Sequence, residues 1–227
     1  MQTNANDQYK ILCSKNNVIL KRALTSDTNS FVIDFEICNA RISLERFCSF
    51  NIFTLMFELN REDAIQDLRI TDAVTPDPLL LSEQSEPSEQ DPPSTIVKDM
   101  FLLFKRKGDD IGIKQKYMNL SLTMSKLVTP ASSNYVFQGK PVHFSPSQMI
   151  SETDARTLKL SAEEICDVDA VFCLSLIDAH HMRVQFMMTV PPAARPQPSY
   201  IENGLGMIMK KILLRLKTFI EQMDIKS

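Results

Sequence analysis

The sequence predicts an α+β protein: a β-rich antiparallel sheet or sandwich with an amphipathic C-terminal helix. Three observations carry that expectation. Met182, Val184, Phe186, Met188 and Val190 alternate with Arg183, Gln185, Met187 and Thr189, which turns one face of an extended strand toward a core. Phe31, Ile33, Phe35 and Ile37 alternate in the same way, as do Met118, Leu120, Leu122 and Met124. The last apolar stripe recurs instead at three and four residues, through Ile201, Leu205, Ile208, Ile212, Leu216, Phe219, Ile220 and Met223, which is the repeat of a helix.

In chain order, Tyr9, Ile11 and Cys13 lead to Lys15-Asn16-Asn17, and Val18 and Leu20 resume beyond it as the second arm of a hairpin. Phe31 to Ile37 is the next strand. Residues 41–59 are ambiguous: Leu44, Phe47 and Cys48 suit a helical turn, while Phe53, Leu55, Phe57 and Leu59 favour a strand for the second half. Arg61 to Arg69 reads as a short helix. Ile96 to Phe104 is an apolar strand that ends in the Gly-Asp turn signal of Lys107-Gly108-Asp109-Asp110. With Pro130, Pro141 and Pro146, residues 128–149 read as irregular. Ser161-Ala-Glu-Glu164 matches a capping box for a turn of helix. Val171 to Ile177 is then a strand joined through Asp178-Ala179-His180-His181 to the strand ending at Val190. The final helix follows a Pro-rich stretch and starts firmly near Met207.

The chain has 227 residues, enough for one substantial core without disulfide or metal support. Formal charge divides it into three parts. Residues 1–69 carry 8 basic and 9 acidic side chains, residues 70–95 none and 6, and residues 96–227 carry 17 and 13. The expected organisation is one domain in two β-rich halves, 1–69 and 96–227, separated at 70–95 by an acidic, Pro- and Ser-rich disordered linker or loop. That segment has too little apolar surface to offset its ordering entropy. Within it Leu79, Leu80 and Leu81 form an apolar knot that suits a partner motif.

Hydrophobic content of 44% with 23% charge is that of a globular chain, and no apolar run reaches the roughly 18 residues of a spanning helix. Met1 to Asp7 has no basic start and no apolar core of a signal peptide. The expected location is intracellular, in cytoplasm or nucleus, and neither secreted nor transmembrane. Cys13, Cys38, Cys48, Cys166 and Cys173 are odd in number and widely spaced, which fits free thiols in a reducing compartment.

With 5 glycines and none before Gly108, the chain lacks G-x-G-x-x-G, Walker A and G-x-S-x-G, and H-E-x-x-H is also absent. No enzymatic activity, catalytic residue, cofactor or metal is assigned. Asp178, His180 and His181 form the one tight group of metal-capable side chains, but adjacent residues of an extended chain point to opposite faces. Two basic clusters, Lys105-Arg106-Lys107 and Lys210, Lys211, Arg215 and Lys217 on the final helix, are the candidate contacts for phosphate, lipid or nucleic acid. The helix is expected to bury its stripe and present those cations outward.

The segment Asp167 to Val190, a hairpin late in a motif-poor chain that ends in a helix, resembles the C-terminal half of rhabdovirus matrix proteins, plant-infecting members included. The resemblance covers about sixty residues and rests on size and pattern. It departs from many members in its acidic balance and in having Ala193-Ala194 after Pro191-Pro192. It implies a non-enzymatic structural or interaction protein that self-associates and binds nucleocapsid RNA or an anionic membrane surface, with protein partners and no small-molecule substrate. An intracellular adaptor or complex subunit is the alternative. A third reading is a nucleic-acid-binding movement protein of plant viruses, whose Asp-terminated strand Cys173-Leu-Ser-Leu-Ile-Asp178 resembles.

Overall fold

The computed structural model describes residues 9–23, 29–73, 95–105, 115–129, 132–142, 162–190 and 203–224. Its strands are β1 (Tyr9–Lys15), β2 (Val18–Ala23), β3 (Asn29–Cys38), β4 (Ile65–Asp72), β5 (Ile96–Phe104), β6 (Gln115–Thr129), β7 (Ser132–Pro141), β8 (Ala162–Glu164), β9 (Asp169–Asp178) and β10 (His181–Val190). Two α-helices, α1 (Asn51–Asn60) and α2 (Gly204–Gln222), and a 3-10 turn at Leu44–Phe47 complete the described elements. The strands form one sheet in the order β1-β2-β3-β10-β9-β7-β6-β5-β4, with β8 beside β6. All pairs along that path are antiparallel, and β8 runs parallel to β6. The α+β expectation holds in its single-sheet form, with a C-terminal helix.

Local chemistry explains the elements. Asn16 and Asn17 both have positive φ, 51° and 60°, which gives the tight β1–β2 hairpin the twist its strands require. The alternation in β3, β6 and β10 is the burial pattern: Phe31, Ile33, Phe35 and Ile37 are buried, as are Met118, Leu120 and Leu122, and every second residue from Met182 to Val190. The β9–β10 hairpin turns at residues 179–180, where Asp178 Oδ1 accepts the His180 backbone N–H at 2.7 Å.

Four expectations are corrected. Residues 51–60 form α1, because Ile52, Phe53, Met56 and Asn60 are the buried set and follow a helical repeat that the period-two reading concealed. The expected helix over 61–69 gives way to β4, with a bulge between Ile65 and Asp67 that offsets its pairing to β5. The expected irregular stretch contains β7, of which Pro141 is the last residue. Ala162–Glu164, the expected capping box, is the short strand β8. On the acidic stretch, β4 runs through Ile70 to Asp72 opposite Met100 to Lys98, so strands from both flanks share the sheet. Leu79, Leu80 and Leu81 lie outside the described residues.

One core cluster draws buried side chains from β2 to β7, β9, β10, both helices and the 3-10 turn. The other face of the sheet holds a small second cluster of Phe101, Leu103, Tyr117 and Ala162. Helix α2 is tied to the β2–β3 side of the sheet. Gly206 lies so close to the Phe31 ring that an added Cβ would sit 2.7 Å from its Cδ1. Arg22 donates to Asn203 Oδ1 at 3.0 Å, and buried Asn39 donates through Nδ2 to the carbonyls of Ile220 (2.6 Å) and Met223 (3.0 Å) at the other end. These bonds satisfy carbonyls that a helix C-terminus leaves open. Helix α1 packs against α2 and β4.

A candidate ligand cavity between the sheet and two helices

The register places residues in rows across the sheet, and one row explains why the core is not filled. Phe31 of β3 lies opposite Met188 of β10, Met188 opposite Ala170 of β9, Ala170 opposite Gly139 of β7, and Gly139 opposite Leu122 of β6. At the Phe31 end the helix supplies a glycine, Gly206, and the two surfaces touch. At Ala170 and Gly139 the sheet supplies the small residues, and the space above them stays open. Glycine within a strand often marks such a place.

The result is an apolar cavity of about 60 Å³. Its floor is the inner face of β4 to β7, β9 and β10, with Leu68, Leu102, Leu120 and Leu122 beside the two small residues. Met209, Ile212 and Leu213 of α2 form the roof, and Phe53 and Met56 of α1 close one side. Phe137, Phe172 and Phe186 lie in the neighbouring row of the sheet. Phe53 meets Phe137 edge-on at 5.3 Å and Phe172 at 5.9 Å, so that wall is a rigid aromatic stack. Elsewhere the walls are soft: Met56, Met100, Met118, Met188 and Met209 all line the space. Methionine side chains are unbranched and repack at low cost.

No charged or hydrogen-bonding side chain lines the cavity among the described residues. Asn60, fully buried at the end of α1, lies one turn beyond Met56; its Nδ2 donates to the Met56 carbonyl at 2.8 Å, and its Oδ1 has no protein partner. The Cys48 thiol belongs to the apolar interior, and that of Cys173 is partly buried. Burial pushes the Cys48 thiol up to about 12, with Glu45 adding to the rise, and burial also raises Cys173. Both are poor nucleophiles at neutral pH.

Of the basic residues singled out by sequence, Arg106 and Lys107 lie outside the described residues. Lys105 donates to the Glu62 carbonyl at 2.6 Å. On α2 the four cations do not all face outward. Lys210 and Lys217 are 6% and 9% exposed; Lys210 Nζ donates to Cys13 Sγ at 3.1 Å and Lys217 Nζ to the Glu36 carbonyl at 2.5 Å and to Glu221. Lys211 and Arg215 both pair with Asp63, in the turn after α1. Their stems cover apolar surface while their charged ends reach partners. His180 places Nδ1 against the carbonyls of Ile42 (2.8 Å) and Asn39 (3.1 Å), and His181 Nε2 is 3.2 Å from Glu36. Among the described residues no three His, Cys, Asp or Glu side chains gather as metal ligands.

No family model and no curated protein sequence matches the chain. Solved structures do. The lipid transfer and protein localization domain of human StarD13 (DLC2) superposes with a TM-score of 0.59 at 9% identity, over 95% of this chain and 90% of that one. Human StAR-related lipid transfer protein 5 gives 0.58 at 8% identity, over 97% and 89%. Human STARD10 gives 0.56 at 9% identity, over 96% and 74%. At these identities the likeness is one of fold.

That likeness overturns the resemblance to rhabdovirus matrix proteins. A hairpin followed by a terminal helix is shared by unrelated folds, and here β9 and β10 are central strands of a sheet that continues on both sides. A sheet folded over an apolar cavity in this shape also contradicts the matrix-like, adaptor and movement-protein readings. With them go nucleocapsid or RNA as partner, and the expected lack of a small-molecule ligand. Among the described residues no helix is long and apolar enough to cross a membrane.

Proposed function

We propose that this chain is a non-catalytic binding domain that takes a lipid-type apolar molecule into the cavity beneath α2. The observation that carries the reading is the cavity itself: enclosed by two helices and six of the ten described strands, and walled by apolar side chains alone among the described residues. Its fold is that of domains whose names describe lipid transfer. Transfer of apolar surface from water into such a space gains roughly 25 cal/mol per Å². No reactive group is needed for that, and the walls present none.

The resting cavity, about 60 Å³, is smaller than the roughly 150 Å³ that admits a benzene ring in a protein core. A lipid therefore enters only if the walls repack, and the five methionines are the side chains suited to do so. The aromatic wall at Phe53, Phe137 and Phe172 stays fixed and sets one limit of the ligand.

The test uses diphenylhexatriene, a neutral apolar dye that fluoresces on leaving water, with the full chain. The wild-type protein is expected to take it up saturably. Ala170→Leu, which fills the floor with a side chain of its own, should weaken uptake by about tenfold or more while leaving the circular dichroism spectrum and cooperative melt in place. Absence of uptake by folded wild-type protein, or equal uptake by the folded Ala170→Leu variant, overturns the reading.

A further inference from the structure

The cavity walls discriminate by charge as well as by polarity. Nineteen of the described residues line the space, and each is Phe, Met, Leu, Ile, Val, Ala or Gly. The cations nearest in sequence to the roof are committed elsewhere: Lys210 to Cys13, and Lys211 and Arg215 to Asp63. On the floor, Lys98 lies in register beside Leu122, yet its ammonium is paired with Asp72 at 2.8 Å and lies 5.7 Å from the Phe50 ring centroid. No described side chain on the walls can supply a counter-charge or a hydrogen bond to a phosphate or carboxylate.

An ion moved from water into such a site loses its hydration and gains nothing in return. That penalty persists even after the surroundings relax. An uncharged hydroxyl or ester pays far less, even without a partner. Pure hydrocarbon pays nothing. From this difference we infer that the ligand held in the cavity is a neutral lipid, one whose enclosed part carries no phosphate, carboxylate or ammonium. The inference rests on the proposed binding function and narrows it to one chemical class.

A fatty acid meets this barrier only when it has lost its proton. Its ionised form is excluded, while its protonated form is an uncharged molecule of nearly the same shape. Binding of a fatty acid should therefore strengthen as pH falls and the acid becomes neutral. Binding of the matched alcohol should not change.

The experiment compares three ligands with the same sixteen-carbon chain, palmitate, hexadecanol and methyl palmitate, by equilibrium dialysis of the radiolabelled compounds against the full chain below their aggregation limits. At pH 8 hexadecanol and methyl palmitate are expected to bind at least about tenfold more tightly than palmitate, which corresponds to about 1.4 kcal/mol. Lowering the pH should narrow that gap through palmitate alone. Palmitate binding at pH 8 as tightly as hexadecanol, in a manner that hexadecanol displaces, overturns the inference while leaving the lipid-binding reading intact. If none of the three binds and diphenylhexatriene also fails, the lipid-binding reading falls, and this inference with it.

Discussion

The two ends of one row across the sheet use small residues in opposite ways. At β3, Phe31 rises from the sheet and the helix gives way to it with Gly206. At β9 and β7 the sheet itself is low, at Ala170 and Gly139, while the helix above keeps the full side chains of Met209, Ile212 and Leu213. The first arrangement is a close contact that locks α2 in place. The second leaves a void. Both ends have the same alternating strands and buried apolar faces, so alternation alone does not separate a filled core from a binding cavity. The distinguishing fact is where along the row the small residue sits, on the helix or on the sheet.

Adding one methyl group at each end should give stability changes of opposite sign. At Gly206 an alanine Cβ would lie 2.7 Å from Phe31 Cδ1 and 3.1 Å from two further ring carbons, and Phe31 is 1% exposed with nowhere to move. Overpacking of this kind costs typically 1 to 3 kcal/mol. The better helix propensity of alanine returns at most about 1 kcal/mol. We expect Gly206→Ala to destabilise the protein by about 2 kcal/mol in urea unfolding. A variant as stable as wild type would show that the helix is free to shift, and the description of this end as a lock would be wrong.

At Gly139 the smaller and opposite effect is expected. An added Cβ would meet Leu122 Cδ2 at 3.0 Å and Leu120 Cδ1 at 3.3 Å, which is tight, but both leucines border open space and can turn into it. Cavities cost on the order of 24 cal/mol per Å³, so about 60 Å³ represents about 1.4 kcal/mol that filling can partly recover. Alanine is also favoured over glycine within a strand by roughly 0.5 to 1 kcal/mol. Gly139→Ala should therefore raise stability by about 0.5 to 1 kcal/mol and lower uptake of diphenylhexatriene. That trade of stability for function is expected where a void is used for binding. Loss of stability at Gly139 would mean that Leu120 and Leu122 are held rigidly and that the walls do not yield.

This contrast also explains what the sequence could reveal. Strands β3, β6 and β10, the β1–β2 and β9–β10 hairpins, and helix α2 are legible because each carries its period within its own residues. Helix α1 was concealed because Phe53, Leu55, Phe57 and Leu59 alternate by chance, although only Phe53 of the four is buried. Strand β7 was concealed by its flanking prolines; Pro141 ends the strand and does not interrupt it. The cavity was not legible at all, since it depends on Gly139 lying beside Ala170, a fact of register between two strands. Two traces existed: a glycine in the Tyr135–Pro141 stretch, and 12 methionines in the chain, 5 of which line the cavity. The basic stripe of α2 was legible as a cluster, but its direction was not, because the positions of Lys210 and Lys217 fall on the buried side of the helix.

Helix α2 is also held differently on its two flanks, and there the smallest effect is expected. Toward β3 the ties are buried: Asn39 to two helix carbonyls, and Lys217 to the Glu36 carbonyl. Toward α1 they are exposed ion pairs, with Asp63 between Arg215 and Lys211. Hydrogen bonding to Arg215, then to Lys211, holds the Asp63 carboxyl below its ordinary value. A carboxylate whose folded value is lowered adds stability that is fully present above its unfolded value, near 4, and is lost as pH falls through the folded value. Asp63→Asn should therefore lower the melting temperature slightly at pH 7, and the difference from wild type should vanish in acid below that folded value. Since the pair is open to water, high salt at pH 7 should shrink the difference as well. A large loss at pH 7 that survives both acid and salt would show that Asp63 supports the α1–α2 contact by packing, and the flank beside the cavity would then be as firmly locked as the one at Phe31.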